Sequence, residues 1–423
     1  MAVVVGVALV FDPRAGHAGA PKHALLLAGG VVLAGMLAVR GATGAAGHRP
    51  PVNPVTAAAL VLLAWTAVSA AASDHARTAV WGHPASHQGL TTAAASVAVL
   101  VAAATGDAFR PRDVRRALRV VWFVAGGGVL LLGLAQLADG VVAPDTGWDW
   151  ARPAVAHHSI GSTLGNANHL GGLLAVLLPI GVTLAVRAGR RERIASAALG
   201  VALVVELAVT TSRGAWLGAV AGVVTLALVL RRRLGGQRRR LLRVAAAAVA
   251  LAAAVVLAFG ALGVTKLDPG AIARAGPGTT VDLRRELWAT AWRMAADHPV
   301  TGVGPDVFGD AFPRYAGERF GRVFGPFTVA TSAHDLFLDV LAGLGAVGLV
   351  AFLALLALSA RRATRAWPTL PDADRLLVGG MVAAEVAYLV QAGFDPPNLA
   401  LTSLFWALLG MLSAMTGPPA TER

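Results

Sequence analysis

The sequence predicts an all-α polytopic membrane protein, a helical bundle of eleven or twelve transmembrane helices. Of its 423 residues, 56% are hydrophobic and only 14% are charged, which leaves too little polar surface to cover a water-soluble globule of this length. Apolar stretches close to twenty residues long recur along the chain, and a helix of about that length crosses a bilayer. One long polar segment, 263–332, interrupts them, so we expect a single integral membrane domain, 1–423, with one elaborated loop.

Hydropathy places the spans in order along the chain. They are 24–39, 55–72, 90–105, 120–137, 170–186, 194–210, 214–230, 241–262, 336–360, 376–392 and 399–415. Residues 3–11 are also apolar, but they are too short to cross a hydrocarbon core of roughly 30 Å. We interpret them as the end of a further span, which gives the count of twelve.

Arginine clusters orient the bundle. They lie at 110–119, 187–193, 231–243 and 361–365, which fall on one side of the membrane if the spans alternate. Basic loops stay in the cytoplasm, so orientation explains the net charge of +13 better than nucleic-acid binding does. The outer face then receives 73–88, 138–169, 211–214, 263–332 and 394–398.

Two polar segments of the outer face precede or join spans. In 161–172, Asn166 and Asn168 stand at the mouth of a helix, where an amide caps the helix or bonds sugar hydroxyls. In 211–216, Arg213 lies at a tight turn, where a guanidinium binds phosphate or extends to lipid headgroups. Both pairs of interpretations stay open on these residues alone.

Two more segments belong to the long loop. Leu283, Leu287 and Ala291 recur at helical spacing, which predicts a short amphipathic helix on the membrane surface. The glycine-flanked turn after it would let the loop fold back as a lid. At 332–338, His334 stands at the start of a long apolar helix, where it accepts a proton near neutral pH or only caps the helix.

Together the segments resemble the O-antigen ligase and Wzy-type polymerase family. The resemblance rests on Gly-Asn-x-Asn before a span, Ser-Arg-Gly-x-x-x-Gly at a turn, Arg-x-x-x-Trp and Pro-x-x-Gly-x-Gly in the long loop, and Ala-His at the next span. It covers roughly 161–349, and the helix count and the long late loop extend it to the whole chain.

The resemblance implies a GT-C-like glycosyltransferase of the cytoplasmic membrane that uses no metal or other cofactor. The implied donor is a glycan linked to undecaprenyl diphosphate. The implied acceptor is a hydroxyl of a glycan, lipid or protein, reached on the outer face. Ligase and polymerase differ only in that acceptor.

The resemblance also implies roles for individual residues. Arg213 and Arg284 match the arginines that hold the diphosphate, and His334 matches the proposed catalytic histidine. Arg285 is the alternative to Arg284, because register within the doublet is hard to fix. The remaining residues expected to contact substrate are Asn166, Asn168, Trp288 and Asp335.

Asp335 departs from the family pattern, which usually has Asn at this position. We expect a carboxylate here to raise the pKa of His334 or to orient its ring.

Two other functions remain open. The resemblance also implies a transporter as an alternative, because some proteins similar to this family are described as bicarbonate carriers. Glu206, Glu385 and Asp339 lie inside predicted spans, as titratable groups of a transporter do, but the sequence shows no convincing internal repeat. A noncatalytic scaffold for envelope assembly is another, in which the outer arginines only grip lipid headgroups. The chain contains no cysteine, which excludes disulfides, thiolate metal sites and cysteine nucleophiles.

Overall fold

The computed structural model describes residues 1–11, 19–42, 53–105, 111–142, 160–230, 280–325 and 328–417, and within these ranges it is helical without a strand. The helices are α1 (Ala2–Leu9), α2 (Gly19–Ala42), α3 (Pro54–Ala71), α4 (Ala76–Trp81), α5 (Leu90–Thr105), α6 (Pro111–Val120), α7 (Gly126–Val142), α8 (Ala167–Val186), α9 (Arg190–Val209), α10 (Arg213–Leu230), α11 (Thr280–Asp297), α12 (Phe308–Tyr315), α13 (Glu318–Phe324), α14 (Leu336–Ala366), α15 (Asp372–Ala392) and α16 (Leu399–Met415). A π-helical turn joins α6 to α7, and a 3-10 turn precedes α8.

The predicted spans coincide with helices wherever the structure describes the chain. The spans at 90–105 and 399–415 match α5 and α16 at both ends. The span at 241–262 lies outside the described residues. In the described ranges, five helical stretches are long and apolar enough to cross a membrane, namely α2, α3, α6 continued into α7, α8 and α14. The prediction of an all-α polytopic membrane protein is confirmed.

The centre of the bundle is formed by α8, α10 and α15, which pack against one another. Helices α8 and α16 are buried along most of their length, as expected for helices that are apolar all round. On one side, α16 packs on α5 and α5 on α2, while α3 packs on α14. Of the predicted long loop, the described part folds into α11, α12 and α13, and α11 contacts α14.

Glycines on α10 allow α15 to approach closely. A Cβ on Gly218 would lie 2.7 Å from the carbonyl oxygen of Ala387, and one on Gly222 would lie 2.9 Å from the Ala387 side chain. Small residues at such spacing are a common basis of helix packing in membranes. The second glycine of Ser-Arg-Gly-x-x-x-Gly is therefore required for packing.

Helix α14 is broken at Gly345, where φ is 68°. The carbonyl groups of Ala342 and Gly343, just before the break, accept hydrogen bonds from Val303 N (2.9 Å) and Gly304 N (3.0 Å) of the long loop. The loop thus supplies bonds that the interrupted helix cannot make for itself, as buried backbone in a membrane requires.

Helix α3 closes the other side of the break. Trp65 Nε1 donates to the Leu344 carbonyl oxygen (2.9 Å), and Ser69 Oγ donates to that of Gly343 (2.9 Å). The segment that carries Pro-x-x-Gly-x-Gly, 299–304, therefore docks the long loop into the break in α14.

Candidate functional site

The loop between α15 and α16, residues 394–398, is bordered by two predicted site residues, Arg284 and Arg213. Arg284 Nη2, on α11, donates to the carbonyl oxygen of Phe394 (2.6 Å). The Arg284 guanidinium also lies 5.5 Å from the centroid of the Phe394 ring, a cation–π distance. The sequence assigned this loop to the outer face but predicted no role for it.

Arg213 borders the same loop from the first position of α10. A Cβ on the next residue, Gly214, would lie 2.8 Å from Phe394 Cβ, so the start of α10 abuts the loop. The Arg213 side chain is exposed, and no bond from it to another described residue is recorded. Its charge is therefore accessible to a ligand, whereas Arg284 is already held in place.

His334 is half-buried immediately before α14. Its backbone has φ of 54°, in the left-handed region that non-glycine residues rarely adopt, and its N–H donates to Ser332 Oγ (3.0 Å). Burial and, to a smaller extent, the positive charge of Arg284 lower the pKa of His334 to about 4. The imidazole is consequently uncharged near neutral pH.

Asp335 caps α14. Its Oδ1 accepts from Phe337 N (2.9 Å) and Leu338 N (3.0 Å), which satisfies two free donors of the first turn. The pKa of His334 is lowered, by burial and by Arg284, and Asp335 is not among the causes that set it; the alternative expectation, that Asp335 orients the ring, stays a prediction.

The asparagine segment links α8 to the same loop. Asn166 caps α8, since its Oδ1 accepts from Asn168 N (2.8 Å). One turn into the helix, His169 Nδ1 lies 3.1 Å from Asn398 Nδ2. Asn398 in turn caps α16 through Ala400 N (3.0 Å). Asn166 therefore has a capping role, and His169 connects the segment to the loop at 394–398.

Asp395 is a residue of this loop that sequence reasoning missed. Its carboxylate accepts a hydrogen bond from Gln391 Nε2, and the residue is only 2% exposed. Burial raises the pKa of Asp395, and the Gln391 bond and the charge of Arg284 oppose that rise. A single acidic residue in a five-residue loop gave no pattern from which to predict this contact.

The two neighbouring arginines of α11, Arg284 and Arg285, differ in their contacts. Arg284 turns toward Phe394, while Arg285 is exposed, with no ion pair or hydrogen bond recorded to the described part of the chain. Trp288 is half-buried against the apolar cluster that α11 shares with α12. Its indole N–H has no hydrogen-bond partner among the described residues. The geometry thus favours Arg284 over Arg285 as the arginine of the site.

The groups that suit an anionic ligand are the two arginines that border the loop. The Arg284 guanidinium is anchored at Phe394, and Arg213 is exposed beside Gly214, which abuts the same residue. Within the described ranges, no group of three or more His, Asp or Glu side chains is placed to hold a metal ion.

A comparison with known families gives one match. Residues 198–353 match the family Wzy_C, described as O-antigen ligase. No curated protein matches the chain. The matched segment runs from α9 into α14, so it contains Arg213, Arg284 and His334 and leaves out the asparagine segment and the loop at 394–398. The predicted relationship to the O-antigen ligase family is therefore confirmed, on residues 198–353 of this chain.

Proposed function

We propose that the protein is a membrane glycosyltransferase that moves a glycan from an undecaprenyl-diphosphate-linked donor to an acceptor hydroxyl. The O-antigen ligase match supports a glycosyl-transferring activity. The observation that carries the finer proposal is the position of Arg284, which bonds the loop at 394–398 and lies close enough to His334 to lower its pKa. A group that holds an anion and a group that accepts a proton thus share one site.

Arg213 and Arg284 hold the diphosphate of the donor. The bond between the anomeric carbon and the phosphate oxygen breaks, and its electron pair leaves with the diphosphate. Guanidinium groups placed in advance stabilise the charge that develops there, and they form paired hydrogen bonds with phosphate oxygens. This arrangement assigns the leaving group to arginines and requires no metal.

His334 accepts the proton of the acceptor hydroxyl as the new carbon–oxygen bond forms. Its uncharged imidazole is ready to do so. A diphosphate bound at Arg284 would offset the guanidinium charge, and the pKa of His334 would rise. The histidine therefore becomes a stronger base when the donor is in place.

The reaction takes place on the outer face of the cytoplasmic membrane. The basic loops on the opposite side of the predicted topology support this orientation. Asn166, Asn168, Trp288 and Asp335 lie at or beside the proposed site as contacts to the glycan or as supports for its helices. The acceptor is a glycan, a lipid or a protein.

The test measures release of undecaprenyl diphosphate from labelled lipid-linked glycan of the native host, with membrane extract as the source of acceptor and without added metal. We expect release by the purified protein and loss of release in Arg213→Ala and in His334→Ala. Arg322→Ala, at an exposed arginine of α13, is the control and should retain release.

Two results would contradict the proposal. Equal release by all the variants would mean that neither residue takes part. No release by folded protein would favour the alternatives, and bicarbonate flux in proteoliposomes then separates a transporter from a scaffold.

A further inference from the structure

A cavity of about 180 Å³ lies beside the break in α14. The long loop contributes Pro305 and Asp306 to its wall, α14 contributes Asp339 and Leu344, and α16 contributes Trp406. In membrane proteins, interrupted helices and irregular backbone at membrane depth line ligand cavities. The position of this cavity therefore makes it a candidate binding site.

Asp339 supplies the cavity with an unpaired polar oxygen. Its Oδ1 accepts from Ala333 N (2.6 Å), the residue before His334. Its Oδ2 is buried and has no hydrogen-bond partner in the described part of the chain. A buried oxygen without a partner costs free energy, and a ligand hydroxyl that forms a hydrogen bond with it would remove that cost.

The other carboxylate of the cavity is already engaged. Asp306 accepts from His83 N (2.7 Å), Ser86 Oγ (2.6 Å) and Gln88 N (2.7 Å). It has φ of 60°, so these bonds hold it in a rarely adopted conformation. Asp306 thus fixes one wall of the cavity, and Asp339 Oδ2 is the carboxyl oxygen left for a ligand.

The lining excludes an anionic occupant. None of the described residues that line the cavity is Arg, Lys or His, and most are apolar. An anion in such surroundings would lose its hydration without gaining an opposite charge. The diphosphate of the donor therefore belongs with the arginines and not in this cavity.

The cavity adjoins the proposed catalytic turn. Ser332, which accepts the His334 N–H, lines the cavity, and so does Pro397 of the loop at 394–398. A group bound here would therefore lie next to the turn that holds His334 and next to the loop that Arg284 bonds.

We propose that this cavity binds the acceptor as an uncharged, hydroxyl-bearing group on an apolar stem, with a hydroxyl hydrogen-bonded to Asp339 Oδ2. The inference rests on the proposed function, because it gives that reaction its second substrate. The acceptor class it selects is neutral at the reacting end, and a phosphorylated acceptor head is rejected.

Binding is tested without the reaction. The probe is 6-bromohexyl β-D-glucoside, added to the full-length protein in nanodiscs, and its bromine should quench the fluorescence of Trp406 on contact. Trp406→Phe should remove most of the probe-dependent quenching. The 6-phosphate of the same glucoside is the matched anionic probe, and we expect it to bind at least about tenfold more weakly.

Asp339→Asn tests the hydrogen bond. The amide oxygen can still accept from Ala333 N and the amide nitrogen keeps a polar group at the position of Oδ2, whereas Asp339→Leu removes it. We therefore expect roughly tenfold weaker binding of the neutral probe in Asp339→Leu and a smaller loss in Asp339→Asn. Asp310→Asn, at an exposed position of α12 outside the cavity, should bind as the wild type does. The comparison of the two probes on the wild-type protein decides the proposal even if the Asp339 variants fail to fold.

Two outcomes overturn the inference. The first is no quenching that depends on Trp406, and the second is equal binding of the neutral and phosphorylated probes. Quenching without any release of undecaprenyl diphosphate would leave the cavity site intact and count against the proposed function. Glycan transfer by a protein whose cavity binds neither probe would support the proposed function and count against the cavity site.

Discussion

At the residue scale, His334 and three other residues of the outer-face segments have a strained backbone. Ser162, Thr211, Asp306 and His334 all have φ between 47° and 60°, and each lies in one of the four segments that the sequence singled out. Such conformations cost on the order of 1–3 kcal/mol each and persist only where the surroundings enforce them. The hydrogen bond from His334 N to Ser332 Oγ is one such constraint.

His334 should respond to an anion at Arg284. Burial and the Arg284 charge lower the pKa of His334 to about 4, and inorganic diphosphate bound to the guanidinium would remove the second cause. We therefore expect diphosphate to raise the pKa of His334, measured by NMR titration and assigned by the spectrum of His334→Gln. An unchanged pKa at saturating diphosphate would contradict the shared site.

The same lowered pKa sets the direction of a stability change with pH. The unfolded chain takes up a proton at His334 near the ordinary value of about 6.5, whereas the folded protein does so only near 4. The contribution of His334 to stability is therefore lost as the pH falls from 6.5 toward 4. His334→Gln should flatten this part of the dependence of Tm on pH.

The two neighbouring arginines on α11 should differ sharply in activity. Arg284→Ala removes the guanidinium that bonds Phe394, and we expect a loss in kcat/KM of about 10²-fold or more, as for other removed charge-stabilising donors. Arg285→Ala changes an exposed side chain and should stay within about twofold. Release of undecaprenyl diphosphate gives both values. Equal losses would mean that the doublet acts only through its total charge.

At the scale of elements, α14 depends on the long loop. A Cβ at Gly345 would collide with the Val300 carbonyl oxygen, and its φ of 68° disfavours any other residue. We expect Gly345→Ala to destabilise the protein by about 1–3 kcal/mol, seen as a lower Tm in detergent. Gly127→Ala, where a Cβ would meet nothing within 4 Å, is the matched control. A Tm unchanged in Gly345→Ala would mean that the break is not needed.

The positions of the helices could be predicted from the sequence, because apolar length alone marks a membrane helix. The break in α14 could not, since Gly345 lies in an apolar run that looks like any helical segment. Its cause is the backbone of 299–304, about forty residues earlier in the chain. Local patterns carry no record of such a contact.

The polar residues of the candidate site could be predicted from the sequence, but the loop that brings two of them together could not, because that contact is made by packing between distant parts of the chain. His334, Arg213 and Arg284 stand out as polar residues at the ends of apolar runs. The loop at 394–398 brings two of these positions together through Phe394, yet nothing in its composition shows that it does so. Only packing revealed the direction of Arg284 relative to Arg285.

At the scale of the whole molecule, the arginine-rich loops predict the orientation. The chain lacks cysteine, so single-cysteine variants can be labelled without background. Thr328→Cys, in the long loop predicted to lie on the outer face, should react with a membrane-impermeant maleimide on intact cells. Thr364→Cys, near the end of α14, should react only after the membrane is permeabilised. Both positions are exposed, so the reverse pattern would place the site in the cytoplasm.

The loop between α15 and α16 also has a consequence for biosynthesis. Phe394 is the contact that anchors Arg284, and Asn398 is the partner of His169. Both are translated and inserted after every other part of the site. A nascent chain in which α11 and His334 have already been synthesised therefore still lacks Phe394, the residue that anchors Arg284. Under the proposed function, activity therefore requires α15, α16 and the loop between them, all of which are synthesised after α11 and His334.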